Sequence, residues 1–305
     1  MTKHTDSFPC MGNTANIVVI GDQQLLRKAR LRLVGLENKW SRFIDTSEIS
    51  LINNSDGKEM YVSADTVTLV RYLVDAQART HGLFDPSLLP ALIGLGYGVS
   101  RVDSSMKSDI APNAQWAIPL NETRIDSASG AVRLPSGATL DPGGLGKGLA
   151  ADIVATELIS LGATGVCISI GGDMRIAGES EGNGGWSVAV ESPFDESKDL
   201  TTLGLKSGGI ATSSTRGKRW VGPLGEMHHV LNPRTSAPLT ETAGQLVQST
   251  VVASEAVWAE VFATALLVGG LEQGMPLIDQ LGMAAMAVTV DGDIIESSTW
   301  KEYVS

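Results

Sequence analysis

Residues 140–173, LDPGGLGKGLAADIVATELISLGATGVCISIGGD, constrain the fold more tightly than any other part of the chain. They read as a β-edge ending in Asp141, a glycine-rich turn, a helix, a buried strand and a second glycine turn. Gly143, Gly144, Gly146 and Gly148 leave the backbone of the first turn uncovered, so a ligand can approach its N–H and C=O groups closely. The helix that follows carries Leu145, Leu149, Ile153, Val154, Leu158 and Leu161 at the spacing of one buried face. Its positive N-terminal end favours an anion over the glycines, and Lys147 adds a formal charge there. The pattern is that of a phosphate or diphosphate site. It is not a nucleotide P-loop, because Lys147 is followed by Gly148 and not by Ser or Thr. Nor is it the dinucleotide fingerprint, which would need a third glycine at Leu149. On these residues alone, a purely structural turn capped by Asp141 remains an equal alternative.

The 305 residues allow one large domain or two lobes around a substantial core. Apolar residues at 43% and charged residues at 19% describe an ordinary globular chain. A net charge of −11 argues against nucleic acid or an anionic membrane surface as partner. A small anionic ligand answers to local charge and is not excluded. Cys10 and Cys167 form no disulfide framework, and Cys167 lies in an apolar run where it packs. The N-terminus shows no signal-peptide segment or lipobox and no run of 18 apolar residues occurs, so the expectation is a cytoplasmic chain, as given, without a membrane span.

From the start, residues 14–20 alternate as a strand after Met11-Gly12, and a helix reaches about Trp40. Thr46 and Ser47 are caps for a short helix carrying Ile49 and Ile52. A longer helix covers residues 64–80 and ends at His81-Gly82. The apolar, glycine-punctuated GLFDPSLLPALIGLGYG follows, then a polar loop over 101–113 and short strands near Trp116, Arg124 and Val132. Beyond the central segment, strands are expected at 186–191, 201–206 and 246–252. The piece GGIATSSTRGKRW places the hydroxyls of Thr212, Ser213, Ser214 and Thr215 before three basic side chains. In MHHVLNPRTSAPL, Asn232-Pro233 and Ala237-Pro238 enforce turns. A strong helix covers 254–268 and stops at Gly269-Gly270; one more helix and two strands finish the chain. Without a regular βαβ rhythm, the order favours α+β over a doubly wound sheet.

The succession Met-Gly, SRF…SEIS, GLFDP, LDPGGLGKGLAAD, SIGGD, GIATSS, HHVLNPRTSAP and AEVFATALLVGG resembles the FAD:protein FMN transferases, the ApbE-type flavin transferases, from about Phe8 to Thr289. The resemblance implies an α+β fold with mixed or antiparallel sheets and packed helices, T-fold-like, as a single FAD-binding domain over 1–305 or two lobes with the site between them. It implies magnesium-dependent transfer of FMN from FAD to a Thr or Ser hydroxyl of an acceptor redox protein, with release of AMP. Relatives that hydrolyse FAD to FMN and AMP leave a diphosphatase as one alternative. A non-catalytic FAD-binding protein is another.

Carried over motif by motif, the flavin nucleotide contacts are Met11, Phe43, Leu83, Phe84, Asp85, Asp141, Lys147, Thr212 and Val230. The metal contacts are the Gly144 carbonyl, Glu260 and Thr264. The last two sit four apart, on one side of their helix. His229 is the implied base, since imidazole suits proton removal from a hydroxyl near neutral pH; His228 should face the opposite way. The sequence departs from the family at Phe43, where tyrosine is common, at Glu260, where aspartate is usual, and at Asn232, also usually aspartate. Asn232 either turns the chain before Pro233 or replaces a carboxylate that would orient His229. Glu260 is either a metal ligand or a solvated helix residue. Acceptor proteins resemble D-x-x-[ST]-G-A-T, and the nearest match here, DSASGAV at 126–132, ends in valine.

Overall fold

The computed structural model describes residues 2–181, 185–195, 197–223 and 225–305. The chain divides into two compact units. One is built from residues 1–34, 147–216 and 240–305, the other from 35–146 and 217–239. The boundary at 146/147 falls inside the glycine-rich turn.

The first unit is organised on an eight-stranded sheet. Its strands are β1 (Lys3–Cys10), β2 (Asn13–Ile20), β6 (Gly165–Ile170), β7 (Asp173–Gly178), β10 (Gly208–Ser214), β13 (Leu246–Ala253), β14 (Ala284–Thr289) and β15 (Ile294–Glu296), in that spatial order. Each neighbouring pair is antiparallel. One face is covered by the hairpin of β8 (Trp186–Glu191) and β9 (Asp199–Leu205), where Val188, Val190, Leu203 and Leu205 meet Ile176, Ile210, Val252, Met286 and Trp300. Cys167 packs against this cluster too, and burial pushes its thiol up to about 11. The other face carries small residues. Ser249 Oγ donates to the Ala263 carbonyl at 2.6 Å, and a Cβ at Gly209 would lie 2.2 Å from the Ala256 nitrogen. Helix α6 (Ala256–Gln280), rich in alanine, therefore lies close on β10 and β13. It is long and apolar enough to cross a membrane by composition, yet 56% of that window is buried within the protein, as a core helix is. Gly270 has φ 60° and ψ −162°, so the helix breaks where Gly269-Gly270 predicts a stop. Helices α1 (Gln24–Trp40), whose last six residues belong to the other unit, and α5 (Gly146–Ser160) complete this unit.

The second unit holds α2 (Glu48–Asn53), α3 (Ala64–Arg79) and α4 (Leu89–Gly94). It also holds the small antiparallel sheet β3 (Met60–Tyr61), β5 (Ala131–Arg133) and β4 (Arg124–Asp126), and the hairpin of β11 (Arg219–Gly222) and β12 (Gly225–His228). Ser47 caps α2 by accepting from Ser50 N at 3.1 Å. His81 and Gly82 stop α3 with φ of 52° and 78°. The fold is α+β.

Three expectations differ from the structure. Leu140-Asp141 is not a β-edge: Asp141 N bonds the Pro86 carbonyl at 2.8 Å, and the Asp141 side chain opens a single 3-10 turn over Pro142–Gly144. The stretch around Trp116 is irregular. Strands β1, at one edge of the eight-stranded sheet, β3, β7, β10, β11 and β12 are absent from the expectation.

Candidate functional site

In the first unit, the glycine turn delivers Lys147 to the start of α5, the turn at Gly171-Gly172 (φ 61° and 95°) delivers Asp173 to the start of β7, and α6 presents Glu260. Lys147 Nζ lies 2.9 Å from Asp173 Oδ2 and is bonded to Glu260 Oε1. The second Glu260 oxygen accepts from Gly148 N at 2.8 Å, and Asp173 Oδ1 accepts from Thr212 N at 3.4 Å. The carboxylates are almost dry, at 5% side-chain exposure for Asp173 and 4% for Glu260. Glu260 is thus no solvated helix residue. Burial alone would lower the Lys147 ammonium; the Asp173 and Glu260 charges outweigh it and hold the lysine protonated well above its ordinary value. Two carboxylates share one ammonium, so burial and the Asp173 charge push Glu260 up in spite of Lys147.

One turn along α6, Thr264 Oγ1 is 2.9 Å from Ser213 Oγ on β10. Thr212 points through the opposite face of the sheet, its hydroxyl 2.9 Å from that of Thr250. Glu260 and Asp173 leave one surplus negative charge beside Lys147, and the Thr264 and Ser213 hydroxyls pair one turn further along α6, so the donors offered here are all oxygens. That chemistry fits a hard divalent cation.

The cluster is held by its neighbours. A Cβ at Gly148 would come within 2.5 Å of the Ala256 carbonyl, so the starts of α5 and α6 abut. Asp152 on α5 accepts from Ala256 N at 2.9 Å and Val257 N at 2.8 Å, capping α6 where Glu255, at the N-cap, makes no side-chain cap bond. Burial raises the Asp152 pKa to about 6, against the two N–H donors and Arg175. Met11, at the tip of the β1–β2 hairpin, has φ 51° and is half-buried.

In the second unit, Asp141 Oδ1 accepts from Gly143 N at 2.9 Å, and Oδ2 lies 3.3 Å from Arg42 Nε. The Arg42 guanidinium is buried, 4.1 Å from the Phe43 ring centre and 4.7 Å from that of Tyr97. Gly144 lies against Phe84: a Cβ there would meet Phe84 Cε2 at 2.7 Å. Leu83 is half-buried beside it. Asp85 Oδ1 accepts from Ser87 N at 2.8 Å and Gln77 Nε2 at 2.9 Å, fixing the GLFDP turn to α3. Beyond β12, His228 accepts from Val230 N at Nδ1 (3.3 Å), so its Nε2–H donates to the Leu239 carbonyl at 2.9 Å; both ring nitrogens serve the loop. His229 is half-buried and Val230 buried. Asn232 Oδ1 accepts from Arg234 N at 2.9 Å, a turn role that asparagine fills as well as aspartate. An open groove of about 610 Å³ along residues 121–124 and 133–136 includes none of these side chains.

Sequence reasoning gave no role to Asp173 or Arg42, and noted Ser213 only as one of four consecutive hydroxyls. The SIGGD and SRF motifs contain two of them, but nothing in spacing says that Asp173 shares a lysine with Glu260.

A model of the ApbE family matches residues 11–287. The chain is 27% identical over 311 residues to the FAD:protein FMN transferase of Vibrio cholerae serotype O1, covering 98% of this chain and 90% of that protein. It is 28% identical over 283 residues to the FAD:protein FMN transferase of Escherichia coli K12, with 91% and 79% covered. Among solved structures, the ApbE protein of Thermotoga maritima aligns over the whole of both chains with a TM-score of 0.86 at 24% identity. The flavin transferase ApbE of Vibrio cholerae aligns over 99% of each with a TM-score of 0.80 at 25% identity. The chain belongs to the ApbE family.

Proposed function

We propose that this protein is a FAD:protein FMN transferase, moving FMN from FAD onto a Thr or Ser hydroxyl of an acceptor redox protein with release of AMP. The observation that carries the reading is the buried Lys147–Asp173–Glu260 cluster at the start of α5, in a chain matched by the ApbE model over 11–287. The curated relatives named above bear that activity as their name.

In this reading Lys147 and the first N–H groups of α5 attract the FAD diphosphate, whose charge suits a helix N-terminus. Met11, Phe43, Leu83, Phe84, Asp85, Asp141, Thr212 and Val230 bind the rest of the nucleotide. Glu260 and Thr264, with the Gly144 carbonyl, would hold magnesium, which would supply positive charge against the diphosphate. His229 takes the proton of the acceptor hydroxyl as its oxygen bonds to the FMN phosphorus. The phosphorus–oxygen bond to the AMP half breaks, and AMP leaves with the electron pair.

The test is AMP release and acid-stable flavin on an acceptor protein, followed across magnesium concentrations. His229→Ala should cut transfer by roughly 10²–10⁴ while leaving FAD binding nearly intact. Glu260→Gln should lower metal affinity and turnover together, and Glu260→Asp, the usual family residue, should retain both. AMP with free FMN but no labelled acceptor would indicate a diphosphatase. No AMP at saturating metal with a competent acceptor would leave only a flavin-binding protein.

A further inference from the structure

We propose that Lys147 is the resident counter-ion of Glu260, which a divalent cation must displace on entering, and that Asp173 retains the displaced ammonium within the site. The inference rests on the reading that Glu260 and Thr264 hold the metal.

Glu260 has no idle oxygen. Oε1 is bonded to Lys147 Nζ, and Oε2 accepts from the neighbouring Gly148 N at 2.8 Å. Each oxygen keeps a second lone pair, but Oε2 is fixed to the helix backbone, so a cation drawn to this carboxylate contends with the ammonium at Oε1. Two positive charges a few ångströms apart in a nearly dry cluster repel strongly, so both cannot rest on Oε1. An ammonium left in this site without a carboxylate partner would be costly as well. Asp173 removes that cost. Its Oδ2 already lies 2.9 Å from Nζ, and its Oδ1 is anchored by Thr212 N at 3.4 Å, so the carboxylate is in place before exchange occurs. After exchange, Glu260 faces the metal and Asp173 holds the ammonium, with both positive charges left to meet an anion. Lys147 should therefore oppose the metal while favouring the anion, a pair of opposite signs that a merely structural residue cannot produce.

The experiment measures binding without turnover. Mn²⁺ is titrated into the full chain and free ion is read by electron paramagnetic resonance; pyrophosphate binding is measured by calorimetry without metal. Thermal unfolding checks each variant. Lys147→Gln is expected to tighten Mn²⁺ binding about tenfold or more, the scale of coupling within one salt-bridge network, and to weaken pyrophosphate binding. Mn²⁺ affinity that is unchanged or lower in folded Lys147→Gln overturns the proposal. Should that variant not fold, Asp173→Asn decides: with the ammonium confined to Glu260, Mn²⁺ binding should weaken by a similar factor, and unchanged or tighter binding overturns the proposal. Wild-type protein that takes up no Mn²⁺ refutes the metal reading itself, and the exchange with it.

Discussion

At the scale of the residue, the positions that matter are those where local chemistry is forced into an unfavourable state. Met11 is one. The loop between Cys10 and Asn13 has two residues, both at positive φ, 51° for Met11 and 68° for Gly12. Such a turn matches the twist of a hairpin but suits glycine or asparagine, not methionine. Met11→Gly should raise stability by about 0.5–1 kcal/mol, read as a higher urea midpoint. FAD affinity should fall at the same time if the side chain touches the flavin; a variant that is more stable with unchanged affinity would remove Met11 from the site. Glu260 is the second such position. Its helical neighbour Thr264 was named by the family resemblance, with which a spacing of four agrees, and Lys147 stood out by its place after the glycines. What binds Glu260 was not legible, because Lys147 and Asp173 reach it from sequence separations that no periodicity encodes. Asn232 left two readings open, a turn or a lost carboxylate, and its amide oxygen closes the turn to Arg234.

At the scale of the element, helix caps were legible where backbone chemistry sets them and hidden where a distant side chain does. Ser47, His81-Gly82 and Gly270 act locally, and their helix ends could be read directly. The start of α6 was legible to within two residues, at 254 against 256, but its cap was not, since that is Asp152, supplied from α5. β1 escaped because an edge strand needs one covered neighbour only, and KHTDSFPC exposes alternate polar residues that carry little hydrophobic signal. Asp152→Asn keeps the shape but cannot accept from both amides, and should cost about 1–3 kcal/mol in urea unfolding at neutral pH. The pH dependence follows from burial. The folded carboxyl titrates near 6 and the unfolded one near about 3.9, so the folded state retains a proton that the unfolded state has lost. This group's contribution to stability therefore declines as pH rises from about 4 to about 6 and is flat above. Asp152→Asn should remove that slope; an identical slope in the variant would assign it to other groups. The contact between α5 and α6 gives a paired test. Gly148→Ala drives a methyl to 2.5 Å from the Ala256 carbonyl and should cost about 1–3 kcal/mol. Gly146→Ala, whose nearest neighbour is Pro142 Cβ at 3.4 Å, should leave the melting temperature nearly unchanged.

At the scale of the whole molecule, the α+β class was legible from the irregular order of helices and strands, while the points at which the chain passes between units were not. One unit draws on three separate lengths of chain and the other on two, a partition set by long-range pairings such as β10 with β7 and β13. The same long-range view bears on whether the enzyme could be its own acceptor. Residues 126–132, DSASGAV, approach the acceptor pattern, but in the folded protein they close the β4–β5 hairpin. Asp126 accepts from Ala128 N at 2.9 Å and from Ser129 Oγ at 2.7 Å, Gly130 N bonds the Asp126 carbonyl at 2.9 Å, and Ser127 Oγ accepts from Arg71. Hydrogen bonds to the carboxylate hold the Asp126 pKa below its usual value, first through Ser129, so the aspartate is ionised and occupied by its own turn at any working pH. The position that would carry FMN is Val132, which is 1% exposed and has no hydroxyl. Incubating the chain with FAD and magnesium, without an acceptor, should leave its intact mass unchanged. Val132→Thr should leave it unchanged too, since the new hydroxyl would be buried and the turn already closed. An added FMN on the variant alone would mean that the hairpin opens and that sequence, not fold, protects it. An added FMN on the wild type would move the acceptor hydroxyl to another Ser or Thr of this chain.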